Sequence, residues 1–330
     1  MVVELPCSSQ ADDAMSCCGP SAVRAAERVA SDLGISHRVV TLSDVFEREV
    51  VSPFVREYAK GRTPNPCVRC NEAVKFGALA ERALELGAEA VATGHHARIL
   101  RDEVDGPLLA RARDLDKDQS YFLYSLTRGQ LSLALLPVGE LTKDEVRDLA
   151  RGAGLHTARR PESQDVCFLP EGGMPGLMRE RAPGACVPGP ILDAQGTVVG
   201  QHDGVGLYTI GQRRGLGLSR PNPVYVTAID ASRNAISVGS GQELLSTSVE
   251  ADDARWSDRA GVREFRADAK VRSTATAAPC SVQRDGRSVR VIFDEPQRAV
   301  CPGQAVVFYD GDIVLGGATV VAATDPSARQ

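Results

Sequence analysis

Two cysteines three residues apart, Cys67 and Cys70, stand in the run Asn65-Pro-Cys-Val-Arg-Cys-Asn71. The two prolines of Gly61-Arg-Thr-Pro-Asn-Pro break any helix before them. Helix-spaced residues then follow over about residues 71–86, with Gly87 as the stop. This spacing places the pair in a loop ahead of a helix N-terminus, where the helix dipole and the neighbouring Arg69 favour thiolate. Cys-x-x-Cys is also half of a zinc site. Its other half would be Cys17 and Cys18, and adjacent cysteines fit zinc spacing poorly. A further cysteine, Cys167, lies in Ser163-Gln-Asp-Val-Cys-Phe168. One cysteine among apolar neighbours is most often packing. It gains chemical meaning only if the fold brings it towards Cys70.

Three other constellations could bind an anion or a nucleotide. Thr93-Gly94-His95-His96 follows the short apolar run Glu89-Ala-Val-Ala. Ligands of open α/β sheets bind outside the carboxyl ends of strands, and Gly94 would let a nucleotide approach the backbone. The alternative is a tight turn with two solvated histidines. Asp116-Lys-Asp-Gln-Ser120 offers Lys117 to a phosphate, although mixed charges in a loop are usually solvated surface. Tyr208-Thr-Ile-Gly-Gln-Arg-Arg-Gly215 sets two arginines between glycines, which suits either an anion or an exposed β-turn.

The elements that must position these residues follow from periodicity. Pro20 opens a helical stretch that Gly34 ends, and Arg38-Val-Val-Thr-Leu reads as a short buried strand. Val45, Phe46, Val50, Phe54, Val55 and Tyr58 have helix spacing, and Thr142 with Glu145 forms a capping box for a helix closed by Gly154. Helices alternating with short apolar strands predict an α/β layer with a parallel sheet. After about Cys167, glycine, proline and alternating strands predict all-β or α+β structure, with a boundary near 165 and a softer one near 245. The 330 residues suffice for two or three domains. The chain has no apolar run of membrane-spanning length and no signal-peptide pattern at its start. Nine cysteines, an odd number, point to a reducing, cytoplasmic compartment. The net charge of −5 argues against a generally basic surface but allows a local basic groove.

Taken in order, these segments resemble one family, the tRNA-specific 2-thiouridylases, over nearly the whole chain. The resemblance rests on Gly61-Arg-Thr-Pro-Asn-Pro-Cys-Val-Arg-Cys-Asn with Val74-Lys-Phe-Gly77, and on Ala92-Thr-Gly-His-His-Ala-Arg98. Lys117-Asp-Gln-Ser-Tyr-Phe-Leu123, Ser163-Gln-Asp-Val-Cys-Phe168 and Gly206-Leu-Tyr-Thr-Ile-Gly-Gln-Arg-Arg-Gly-Leu-Gly217 continue it, and Pro302-Gly-Gln-Ala-Val-Val-Phe-Tyr309 with Leu315-Gly-Gly317 completes it. It implies a doubly wound parallel α/β domain of the PP-loop type over 1–165. A small α+β tRNA-binding domain over 166–245 and a C-terminal β-barrel over 246–330 would follow. It also implies a reaction in which ATP with magnesium adenylates the C2 oxygen of the wobble uridine of tRNA. A persulfide on Cys167, loaded by a cysteine desulfurase or a relay protein, supplies the sulfur, and Cys70 is the nucleophile. By the same carry-over Gly94 contacts ATP, and Asn65, Pro66 and Cys67 face the target base. His95, Lys117, Asp118, Gln119, Arg272, Ser273 and Gln304 touch tRNA. A thiol at position 67 raises the further expectation of a [4Fe-4S] cluster on Cys67, Cys70 and Cys167. Family habit implies a monomer.

One departure is plain. Family members begin with a strand and a Ser-Gly-Gly-Val-Asp-Ser-like loop whose N–H groups hold pyrophosphate, and this sequence contains no such loop. Met1-Val-Val-Glu-Leu is similar to the family's second strand. The expectation is a start site misplaced downstream of the true one. The alternative is a real truncation that leaves a tRNA-binding remnant. On either account these 330 residues are not expected to thiolate tRNA unaided.

Overall fold

The computed structural model describes residues 2–4, 19–159, 166–257 and 263–324. Cys17, Cys18, Ser163, Gln164 and Asp165 lie outside the described residues. The chain divides into two compact units. The first comprises Met1–Ser52, Pro66–Gly173 and Asp312–Val314, and the second comprises Pro53–Asn65, Met174–Gly311 and Leu315–Gln330. Among the described residues no helix is long and apolar enough to cross a membrane.

The first unit is α/β. Strand β1 (Val2–Glu4) is followed by helix α1 (Pro20–Asp32) and strand β2 (Val39–Thr41), which pairs in parallel with β1. Gly34, at φ +66°, ends α1, with the Ile35 N–H donating to Ala30 O at 2.9 Å. Strand β2 forms where the sequence places one, but it is not buried. Val39 and Thr41 are exposed and Val40 is half-buried. Helix α2 (Ser43–Phe46) continues through a π-helical turn, Glu47–Val51, into α3 (Ser52–Ala59), which from Pro53 onward belongs to the second unit. Of the helix-spaced residues Phe46, Val50, Phe54 and Val55 are buried and Val45 and Tyr58 half-buried, while Val51, outside that spacing, is buried too. Helix α4 (Pro66–Arg69), a π-helical segment Cys70–Ala78 and α5 (Leu79–Glu85) lead to strand β3 (Val91–Ala92). Strands β4 (Ala97–Asp102) and β5 (Gly106–Arg111) form an antiparallel hairpin, and Ala110 of β5 pairs with Ile313. Helix α6 (Arg128–Leu133) precedes β6 (Ala134–Leu135), which pairs in parallel with β3. Helix α7 (Lys143–Gly152) carries the expected capping box. The Thr142 N–H donates to Glu145 Oε2 at 2.7 Å, and the Glu145 N–H donates back to Thr142 Oγ1.

The second unit begins its ordered course with the segment before Asn65. Gly61, at φ +73°, faces the Ile229 side chain, and the Thr63 N–H donates to Pro302 O at 2.7 Å. Helix α8 (Gly173–Arg181) precedes a four-stranded sheet. Its strands are β7 (Gly189–Leu192), β8 (Val198–His202), β9 (Tyr225–Asp230) and β10 (Ala235–Gly239), in the order β8-β7-β10-β9. Ile191, Val205, Tyr208, Leu216, Val226 and Ile236 make its core. The last six strands close into a barrel. They are β11 (Leu245–Trp256), β12 (Glu264–Lys270), β13 (Ala278–Asp285), β14 (Ser288–Arg298), β15 (Ala305–Asp310) and β16 (Ile313–Thr324). Their order is β11-β14-β13-β12-β15-β16, and β16 pairs back onto β11. Strict alternation drives the closure. Val289, Val291 and Phe293 point inward while Ser288, Arg290 and Ile292 are exposed, so the chain buries one face and leaves no open strand edge.

His202 is the buried polar group of the four-stranded sheet. It is 1 % exposed, its Nδ1 accepts from the Gly204 N–H at 3.0 Å, and its Nε2 lies 3.1 Å from Asn234 O. These partners define a neutral ring that donates through Nε2. Burial pushes its pKa below the ordinary histidine value. Charging the ring would set two donors against each other at Nδ1. The contribution to stability is therefore complete above the ordinary value of about 6.5 and is lost as pH falls from there through the lower value of the folded state. The thermal midpoint should drop below that pH, and His202→Gln should flatten this part of the profile. An unchanged slope in the variant would show that His202 is not the linked group.

Candidate active site

The cysteine pair does not sit ahead of its helix. The helix begins at Pro66, whose missing N–H costs nothing in a first turn, so Cys67 lies in that turn and Cys70 opens the π-helical segment. The expected start near residue 71 is thus five residues late. π-Helical turns are rare and often mark functional positions. This segment also holds a kink. Gly77 leaves helical geometry (φ −102°, ψ −107°), and a Cβ there would lie 3.0 Å from Glu72 O. The carbonyls released by the distortion find another donor, since Gln130 Nε2 donates to Glu72 O at 2.8 Å and to Phe76 O at 3.0 Å. The Gln130 Oε1 accepts from the Thr127 N–H at 3.0 Å, completing a capping box for α6. Asn71, 2 % exposed, donates from Nδ2 to Phe122 O at 3.0 Å. Two side-chain amides therefore fasten the Cys70 segment to the 119–131 stretch. Thr127-x-x-Gln130 carries the same pattern as Thr142-x-x-Glu145, which was the available signal for it.

Arg69 does not serve the thiols as a bare charge. It pairs with Glu49 at 2.6 Å and with Glu72 at 3.1 Å. Arg48, and then Arg69, hold the Glu49 carboxyl below the usual range. The guanidinium is thus balanced by two carboxylates, and the expected push from Arg69 towards thiolate is withdrawn. Cys67 is exposed, and Cys70 and Cys167 are half-buried. Three other cysteines are poor nucleophiles. Burial pushes the Cys280 thiol up to about 12 and Cys301 up to about 11, and raises Cys186 as well. Phe168, next to Cys167, packs edge-on against Phe46 with ring centroids 5.7 Å apart. Phe46 belongs to α2, which packs on the segment that carries Cys70.

The Thr93–His96 turn is not a solvated turn. His95 and His96 are 8 % and 5 % exposed. His95 Nδ1 lies 2.7 Å from Thr93 Oγ1, and its ring sits 6.1 Å from Phe76. Burial first, then Lys75 and His96, push the His95 pKa down to about 3, so the ring is neutral at physiological pH. A Cβ added at Gly94 would meet nothing within 4 Å, so the backbone there is open to a nucleotide. The 117–119 turn is built into the same place. The His96 N–H donates to Gln119 Oε1 at 2.9 Å, and the Gln119 N–H donates to His96 O at 2.7 Å. Asp118 accepts from the N–H groups of Ala112 and Ser120, both at 3.1 Å. Lys117 is half-buried in this turn.

The first unit contains Pro66, Cys67, Cys70, Gly94, His95, Lys117, Asp118, Gln119 and Cys167. Asn65, Arg272, Ser273 and Gln304 belong to the second. There the Thr63–Pro302 bond sets the loop of Asn65 beside that of Gln304, and Arg272 Nη2 donates to Arg298 O at 2.7 Å. Among the described residues no three His, Cys, Asp or Glu side chains are arranged to hold a metal ion. Cys67, Cys70 and Cys167 accordingly do not fit the expected iron–sulfur cluster. The zinc alternative involves Cys17 and Cys18, outside the described residues.

Comparison with known families gives three successive matches. Residues 2–171 match the tRNA methyl transferase HUP domain, 179–240 the tRNA methyl transferase PRC-barrel domain, and 246–320 the aminomethyltransferase beta-barrel domain. The tRNA-specific 2-thiouridylase MnmA of Symbiobacterium thermophilum is 47 % identical over 321 residues, covering 96 % of this chain and 82 % of the relative. Its counterpart in Heliobacterium modesticaldum is 46 % identical, over 92 % of this chain and 80 % of the relative. That of Chloroflexus aggregans is 49 % identical, over 91 % and 84 %. With these identities running through all three matched domains, the chain belongs to the tRNA-specific 2-thiouridylase family.

Proposed function

We propose that this protein transfers sulfur to C2 of the wobble uridine of tRNA in an ATP-dependent reaction, giving 2-thiouridine, AMP and pyrophosphate, with no pyrophosphate-holding loop assigned to these 330 residues. One observation carries the reading. Of the six described cysteines, Cys67 is exposed and Cys70 and Cys167 are half-buried, and the neighbour of Cys167 packs on the helix that braces the Cys70 segment.

The chemistry assigned to the chain is as follows. A donor protein, a cysteine desulfurase or relay, loads Cys167 as a persulfide. The Cys70 thiolate attacks the inner sulfur, forms a disulfide with Cys167 and expels hydrosulfide. Hydrosulfide adds at C2 of the adenylated uridine, and AMP leaves. Two external thiols then reduce the disulfide. ATP, with magnesium, supplies activation of the oxygen, and the open backbone at Gly94 fits the approach of its nucleotide part. Asn65, Pro66 and Cys67 are assigned to the target base. His95, Lys117, Asp118, Gln119, Arg272, Ser273 and Gln304 are assigned to tRNA, with His95 as a neutral partner. Asp118 and Gln119 spend their side chains on the 96–120 turn, so their part is to shape it.

The test uses protein purified from its own cells. With tRNA, ATP, magnesium and a persulfide donor, nucleoside mass spectrometry should detect 2-thiouridine that depends on each component. Tight tRNA binding with no product would replace this reading with that of a tRNA-binding protein without catalysis.

A further inference from the structure

The reaction above uses the sulfurs of Cys70 and Cys167 and leaves that of Cys67 unspent. Cys67 is the most open of the three. It is exposed, while Cys70 and Cys167 are half-buried. The backbone joining it to Cys70 is helical. Helix α4 runs from Pro66 to Arg69, and Arg69 takes φ −64° and ψ −38° as it hands over to the Cys70 segment. Residues three apart in a helix share a face, with Cα atoms about 5 Å apart. A disulfide accepts Cα separations of about 4.4–6.8 Å, so this pair can be bridged without rebuilding the turn.

The turn is held on its other side. Val68 is 7 % exposed and Asn71 2 %, and Asn71 Nδ2 donates to Phe122 O at 3.0 Å. Arg69 is tied to Glu49 at 2.6 Å and to Glu72 at 3.1 Å. The fixed turn thus presents Cys67 to solvent with Cys70 beside it. A Cys-x-x-Cys pair in an α/β unit is the arrangement of a dithiol that cycles with its own disulfide. Phe168 packs on Phe46, which belongs to the helix against the Cys70 segment, so the chain next to Cys167 is anchored towards the same turn. Cys186, Cys280 and Cys301 belong to the second unit, and burial pushes all three of those thiols up.

We infer that Cys67 is the resolving thiol of the cycle. The inference rests on the reading of Cys167 as persulfide carrier and Cys70 as nucleophile. Release of hydrosulfide leaves a Cys70–Cys167 disulfide. Cys67 gives its proton to water, and its thiolate attacks the Cys70 sulfur. The Cys67–Cys70 bond forms, the Cys70–Cys167 bond breaks, and Cys167 leaves as a thiolate that takes a proton from water. One disulfide replaces another, so no electrons are gained or lost. Two external thiols, which the reaction already requires, then reduce the Cys67–Cys70 disulfide and become a disulfide themselves. Cys167 is free to accept its next sulfur while the oxidised pair awaits reduction. The disulfide also moves from two half-buried sulfurs to a pair with one exposed member, where an external thiol reaches it.

The test is disulfide mapping of the full chain. The protein is equilibrated at neutral pH in glutathione buffers of rising oxidised fraction, alkylated, and digested for mass spectrometry. The parent should hold its disulfide mainly as Cys67–Cys70, with Cys167 alkylated. Cys67→Ser should instead hold Cys70–Cys167, and dithiothreitol should reduce that bond about tenfold or more slowly than it reduces the parent's. Cys167→Ser should still form Cys67–Cys70. Equal thermal midpoints of the reduced proteins establish that the variants are folded. A parent that holds Cys70–Cys167 with Cys67 alkylated would overturn the inference and leave the sulfur-transfer reading in place. If Cys67→Ser forms no Cys70–Cys167 disulfide in any buffer, that reading loses its disulfide, and the resolving thiol goes with it.

Discussion

Cys70→Ser and Cys167→Ser should each lower 2-thiouridine formation by about three orders of magnitude or more, because each removes a sulfur that must make or break a bond. The two losses should not add. Once either sulfur is gone the sequence of steps cannot proceed, so the double variant should match the singles. The variants should differ in what they accumulate. Cys70→Ser keeps the sulfur of Cys167 and should trap a persulfide, seen as a gain of one sulfur atom on the peptide that contains Cys167. Cys167→Ser should take up none. Cys280→Ser and Cys301→Ala provide the contrast. Both thiols are buried with pKa values pushed up to about 12 and 11, so their loss should change stability and spare the chemistry. Sulfur found on Cys70 in the Cys167 variant would reverse the assigned roles.

Gln130→Ala should cost about 3 kcal/mol of stability and lower turnover at least tenfold. The magnitude has two parts. Losing one half of a capping box costs about 1 kcal/mol. Leaving the Glu72 and Phe76 carbonyls without their donor costs about 1 kcal/mol each. The turnover loss follows because those carbonyls belong to the π-helical segment that begins with Cys70, and small displacements of a reacting group are expensive. Glu145→Ala separates the two effects. It breaks the equivalent box on α7, away from the cysteine segment, so it should lose stability and retain turnover. Urea denaturation and single-turnover assays on both variants make the comparison. Equal turnover losses in the two would mean that Gln130 acts through stability alone.

Much of the architecture was written in local pattern. Val289, Val291 and Phe293 alternate with exposed neighbours, which is enough to specify a half-buried strand. Gly34, Gly61, Gly87 and Gly154 stand at positive φ where the sequence places chain stops. The Thr142 capping box reads the same in both. The ordered run of motifs from Gly61 to Gly317 identified the family, because long motifs in one order leave little room for coincidence.

The site itself was less legible, for a physical reason. Local spacing encodes which residues share a helix face or a strand face, and it is silent on partners far away in the chain. The helix at Cys67 starts at Pro66, its continuation kinks at Gly77, and Gln130, 54 residues beyond Phe76, donates to the Phe76 carbonyl. Arg69 reads as an activating cation until Glu49, 20 residues before it, takes its charge. His95 reads as a solvated, titratable ring until the fold buries it beside Phe76 and Lys75 and makes it neutral. The sequence by itself determined which atoms could react and in what order the elements run. Only the tertiary structure decided the charge, burial and orientation of those atoms, since each of these depends on groups that folding brings in from elsewhere in the chain.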